Sequence, residues 1–201
     1  MQLAALLILL AQVATSGVSG ASGHLLAGAR AFREFHFQEA LVEFRVAQKL
    51  GAPEAAGYTG ATLVKLGRAD EALEVFATAS TGDALLDYYR AVACHQARLY
   101  LCADKFFAGV EGRSGPHIAE ETAKVRAAIR AALSAEPSRD TIDWYLTRCA
   151  ALQKGGRPVL AAANCEEAVG LGERRKDRYG KVEADKLRGS SAKAAPAVEG
   201  R

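Results

Sequence analysis

The chain has 201 residues, half of them hydrophobic and only 7% aromatic, with a formal net charge of +3. That length suits one domain, or one domain with a tail, and an apolar content supplied largely by alanine suits close-packed helices and not a β-sandwich. The near-balanced charge excludes a polycation, although residues 173–201 carry nine Lys/Arg against five Asp/Glu, a net +4 that leaves −1 for everything before them.

Residues 3–14 form an apolar run, and the stretch from Thr15 to Gly23 is almost all small residues. An apolar segment followed by small residues reads as a secretory signal peptide, here residues 1–21, with Ser16, Gly20 or Ala21 satisfying the small-residue rule for cleavage. Its start has no Lys or Arg, so retention of the segment as a membrane anchor is the alternative. A spanning helix needs about 20 apolar residues, more than this run offers.

Apolar residues spaced three and four apart predict helices at 25–35, 37–50, 54–66 and 69–79. Gly51 followed by Pro53, and then Gly67, punctuate them. Asp83 is the expected N-cap of a helix at 84–97, and a partner helix follows at 100–110. Pro116, two residues after Ser114, opens a longer helix to residue 135, with a stripe of Ile118, Thr122, Val125, Ile129 and Leu133. Pro137 ends it. A last pair covers 141–172, turning at Gly155-Gly156. Residues 173–188 are charged with helical character, and 189–201 are Gly/Ser/Ala/Pro-rich and expected to be irregular.

The spacing Ala-x-x-x-Phe-x-x-Ala occurs at Ala40, Phe44 and Ala47 and again at Ala72, Phe76 and Ala79. It recurs with valine in the last place at Ala103, Phe107 and Val110. The offsets are 32 and 31 residues, a period that indicates stacked helical hairpins. With Gly28, Gly60 and Ala91 in the preceding helices, the chain resembles a tetratricopeptide-repeat (TPR) protein. The resemblance implies an all-α, TPR-like right-handed solenoid of antiparallel helix hairpins. Three repeats would fill 24–112. Residues 113–172 would hold the extra long helix and a fourth hairpin with Cys149 and Cys165 at repeat positions, and 173–201 a basic, partly disordered tail.

Four cysteines allow three disulfide connectivities. The hairpin reading favours Cys94 with Cys102 and Cys149 with Cys165, each pair on opposite arms of one hairpin, and export would permit oxidation. Free thiols packed as small core residues are the alternative. His24, His36, His95 and His117 are scattered and show no metal-ligand spacing. No nucleophile motif or phosphate-cradling loop is present, and Glu120-Glu121 reads as a solvated first turn of a helix. We therefore expect no enzyme, no metal and no cofactor. The basic tail is interleaved with Asp177, Glu183 and Asp185, which argues against a nucleic-acid arm and leaves weak contact with a membrane surface or cell-wall polymer.

In TPR folds the first helices of successive hairpins line a concave groove. The resemblance places Leu25, Ala29 and Phe32 there, then Gly57, Ala61 and Val64, then Tyr88, Val92 and His95. That lining is apolar and suits an amphipathic helix or apolar peptide of a protein partner. It lacks the Lys and Asn with which some family members clamp a C-terminal carboxylate. The expected function is an exported, periplasmic scaffold or adaptor in an envelope assembly. The alternative is a membrane-tethered structural component kept by its uncleaved N-terminal segment.

Overall fold

A computed structural model of the chain describes residues 20–79 and 82–194. The expected signal segment before residue 20 and the last seven residues lie outside the described part. Among the described residues the fold is all-α: ten helices and no strand. They are α1 (residues 20–33), α2 (Phe37–Lys49), α3 (Ala55–Lys65), α4 (Ala69–Phe76), α5 (Ala84–Gln96), α6 (Tyr100–Val110), α7 (Pro116–Ala132), α8 (Arg139–Lys154), α9 (Pro158–Arg174) and α10 (Tyr179–Ala194). The described residues form two compact units that divide between Ala93 and Cys94.

One turn recurs between helices. A residue with positive φ ends the first helix, and the next N–H donates back five residues. His36 donates to the Ala31 carbonyl at 2.9 Å, Arg68 to Leu63 at 2.9 Å and Leu99 to Cys94 at 2.8 Å. Arg157 to Leu152 at 2.9 Å and Asp177 to Gly172 at 3.2 Å repeat the bond. This is the Schellman cap, which satisfies carbonyls left over at a helix C-terminus. The positive-φ residues of the first three are Phe35, Gly67 and Arg98. Their offsets of 32 and 31 match those of the alanine–phenylalanine pattern.

In unit 1, α2 packs on α3 and α3 on α4. Ala40, Phe44, Ala47, Ala72 and Phe76 are all buried. The rings fill spaces left by missing side chains: a Cβ on Gly28 would meet the Phe44 ring at 2.8 Å, and one on Gly60 would meet Phe76 at 2.7 Å. Helix α4 stops at Phe76, three residues before its expected end. There the buried Arg90 guanidinium, on α5, donates to the Phe76 carbonyl at 2.8 Å and lies over its ring. Asp83 caps α5 as expected, accepting from Leu85 and Leu86 N–H at 2.8 and 3.1 Å.

In unit 2, α6 packs on α7, and α8, α9 and α10 pack together. Helix α7 buries Thr122, Arg126 and Ile129. Arg126 enters the interface because its guanidinium meets Asp104 of α6 at 2.9 Å and also Glu111. The charged stretch after residue 173 is helical from Tyr179, and α10 continues past Gly189 to Ala194, into the stretch expected to be irregular. Small residues allow this packing: a Cβ on Gly180 would lie 2.4 Å from the Ala168 carbonyl oxygen, and Ala184 is fully buried.

Candidate functional site

Helices of unit 1 enclose an apolar cleft of about 320 Å³. Helix α1 contributes Leu26, Ala29, Phe32 and Arg33, and α2 contributes Phe44. Helix α3 gives Tyr58 and Ala61, and α5 gives Leu85, Leu86 and Tyr89. The aromatic wall is ordered by edge and stacking contacts between rings. Phe32 meets Tyr89 at 6.0 Å and Phe37 at 5.3 Å between ring centroids, and Phe44 stacks on Tyr58 at 5.4 Å. Leu86 reaches the wall because α3 carries glycine opposite it; a Cβ on Gly57 would lie 2.4 Å from its methyl carbon.

Three large apolar side chains at the cleft are open to solvent: Leu26 at 71% exposure, Leu85 at 43% and Tyr58 at 38%. They come from three different helices. Contiguous exposed apolar surface of this kind marks interaction sites, whereas single exposed leucines are ordinary.

The structure brings together part of the expected groove. Ala29, Phe32 and Ala61 line the cleft. Gly57 lies behind Leu86. Leu25 packs into two alanine-rich core clusters on the α2 side, and Val64 is buried. Tyr88 sits edge-on to Tyr89 without lining the cleft, and neither does Val92. His95 belongs to unit 2, where its ring meets Tyr100 at 5.9 Å. The lining residues that the groove assignment passed over are Leu26, Arg33, Phe44, Tyr58, Leu85, Leu86 and Tyr89. Leu26, Ala29 and Arg33 form an i, i+3, i+7 stripe on α1, but the neighbouring Leu25 continues an equally apolar face, so the pattern alone did not select it.

Unit 2 holds both disulfides, Cys94–Cys102 with Cα atoms 5.8 Å apart and Cys149–Cys165 at 5.5 Å. They join α5 to α6 and α8 to α9, the pairing the hairpin spacing favoured. Close to the first, the buried Glu167 on α9 accepts the N–H groups of Leu101 and Cys102 at 2.7 and 3.2 Å. Burial pushes its carboxyl up to about 6, against the lowering effect of those backbone donors. The Tyr145 hydroxyl donates to the Arg98 carbonyl at 2.5 Å, and burial raises its pKa. A second cavity of about 360 Å³ includes Tyr100, Tyr145 and Glu167 in its lining. The Glu167 carboxylate there is already committed to the N-terminus of α6.

Several of the remaining polar candidates are engaged structurally. His24 contacts Glu43 at 2.6 Å, and His36 lies between Glu34 and Glu39. Glu120 pairs with Lys124 at 2.7 Å. In the basic segment Arg175 pairs with Asp177 at 2.9 Å and donates to the Pro137 carbonyl at 2.7 Å, while Lys186 and Arg188 pair with Glu183 and Asp185. Among the described residues no group of three or more His, Cys, Asp or Glu is placed to hold a metal ion.

Comparison of the chain with protein-family models, with curated proteins and with solved structures found no match to any of them.

Proposed function

We propose that this chain is a TPR-like helical adaptor that docks a protein partner in the apolar cleft of unit 1. The observation that carries this reading is the convergence of exposed Leu26, Tyr58 and Leu85 on one aromatic-walled cleft. Ordered rings present large contact area at low entropic cost, and such a cleft receives the apolar face of a helix. The solenoid part of the reading is supported by the recurrence of one helix cap at the same period as the sequence pattern.

The place of action in this proposal is an exported, periplasmic compartment, where the chain supports an envelope assembly. Support comes from the apolar N-terminal run and from two disulfides, which persist in oxidising compartments. Of the three candidate cleavage positions, Gly20 and Ala21 lie in α1, where Ala21 packs with Ala47, Ala52 and Ala55. Cleavage after Ser16 would leave that packing whole. The second reading is a membrane-tethered component retained by the same apolar run. Among the described residues no helix is long and apolar enough to cross a membrane.

A photo-crosslinking amino acid at Tyr58, compared with one at Trp144 in the other unit, tests the docking claim in the native host. The proposal expects one partner captured from Tyr58 and lost when Leu85→Glu is added. Equal capture from both positions would reject it. The N-terminal sequence of the protein isolated from cells decides between release and tethering.

A further inference from the structure

Taking the cleft as a protein-docking site, as above, we propose that its occupant is an acidic amphipathic helix, with leucine or aromatic side chains in the cleft and a carboxylate against Arg33. Among the described residues Arg33 is the one charged side chain in the lining. It is exposed, and among the described residues it forms no ion pair. A second cation, Lys65, lies 5.5 Å above the Tyr89 ring, and Tyr89 in turn meets Phe32 edge-on. Two cations therefore flank the aromatic wall, and among the described residues no acidic side chain lines it. A basic site of this kind attracts an acidic partner and repels a basic one.

The shape agrees with a helix. Leu26, Ala29 and Arg33 run along one face of α1, and a rise of 1.5 Å per residue places Leu26 and Arg33 about 10 Å apart along the axis. A partner helix lying along this face would carry its apolar residues within two turns of its carboxylate. The cleft volume is near the lower end of the range for small-molecule pockets, about 300–1,000 Å³, while Leu26, Tyr58 and Leu85 extend apolar surface around it. The exposed apolar surface of Leu26, Tyr58 and Leu85 beside the cleft offers contact area to an occupant longer than one small ligand. The chain's own residues 1–19 are apolar but contain no Asp or Glu, so they offer Arg33 no partner.

The test uses three synthetic helical peptides with the same leucine face and a polar face of glutamate, glutamine or lysine. Fluorescence anisotropy follows their binding to the full chain. The glutamate peptide should bind about five-fold tighter than the glutamine peptide, with the lysine peptide weakest, and high salt should narrow the difference. Arg33→Glu should invert the order. Equal binding of the three, or an unchanged order in Arg33→Glu, overturns the proposal. If Leu26→Glu with Leu85→Glu abolishes all binding while Arg33→Glu leaves the order unchanged, the cleft is a docking site but its charge preference is not. If the double variant binds every peptide as before, the cleft reading itself fails. Tighter binding of a peptide of residues 1–19, or self-association broken by Leu85→Glu, would likewise overturn the acidic partner.

Discussion

The carboxylate of Glu167 accepts the backbone N–H of Leu101 at 2.7 Å across a sequence separation of 66 residues. With Cys102 as its second donor, it caps the first turn of α6 from another helix. Helix N-termini leave such donors unsatisfied and favour negative charge. The cap is buried, and burial pushes the carboxyl up from 4.5 to about 6. The folded chain thus holds the proton more tightly than the unfolded chain does. The stabilisation from protonating Glu167 is complete below about pH 4.5 and is lost as pH rises through about 6, an effect of at most about 2 kcal/mol. Urea melts of wild type and Glu167→Gln at a series of pH values measure this. The difference between the two should change across that window, and parallel curves would exclude it.

Ring-against-glycine packing predicts position-specific costs. Gly60→Ala drives a methyl group into the Phe76 ring and should cost about 1–3 kcal/mol, as should Ala72→Leu. Gly23 lies in α1 with open space around its Cβ position. Gly23→Ala should therefore stabilise by up to about 1 kcal/mol. Thermal melts of the three variants give the comparison.

Phe35 and Arg98 occupy positive φ where Gly67 serves the equivalent turn. A side chain in that region costs roughly 1–2 kcal/mol, part of which glycine returns through its unfolded-state entropy. Arg98→Gly should raise stability by about 0.5–1 kcal/mol, and Gly67→Ala should lower it by about 1 kcal/mol. Denaturant midpoints decide both.

The two disulfides close loops with sequence separations of 8 and 16. Chain-entropy arguments assign about 2.5 and 3 kcal/mol to loops of this length. Cys149→Ala with Cys165→Ala should accordingly cost more than Cys94→Ala with Cys102→Ala. Melting with and without reductant measures the pair jointly.

Helix positions were legible in the sequence because alanine, phenylalanine and glycine recur at fixed offsets, and the caps at Phe35, Gly67 and Arg98 follow the same period. The disulfide pairing was legible because each pair straddles a tight turn. Side-chain facing was less so. On α1 the expected groove residue was Leu25, whereas Leu26 lines the cleft; one residue is about 100° of helix rotation. Both are leucines, so hydrophobicity could not separate them. The Glu167 cap was hidden because it joins residues far apart in the chain, and a buried carboxylate has no local signature. The end of α10, residues 189–194, was read as irregular because its Gly, Ser and Ala resemble linker composition.

The docking claim is tested most directly by the size of the native complex. Extracts of the host expressing wild type or the Leu26→Glu, Leu85→Glu double variant would be resolved by native sizing. Helical content is checked by circular dichroism, since both replaced side chains are exposed. The account predicts that wild type migrates well above its own 21.2 kDa and that the folded double variant migrates alone. The same large species for both would contradict the account and place binding outside the cleft.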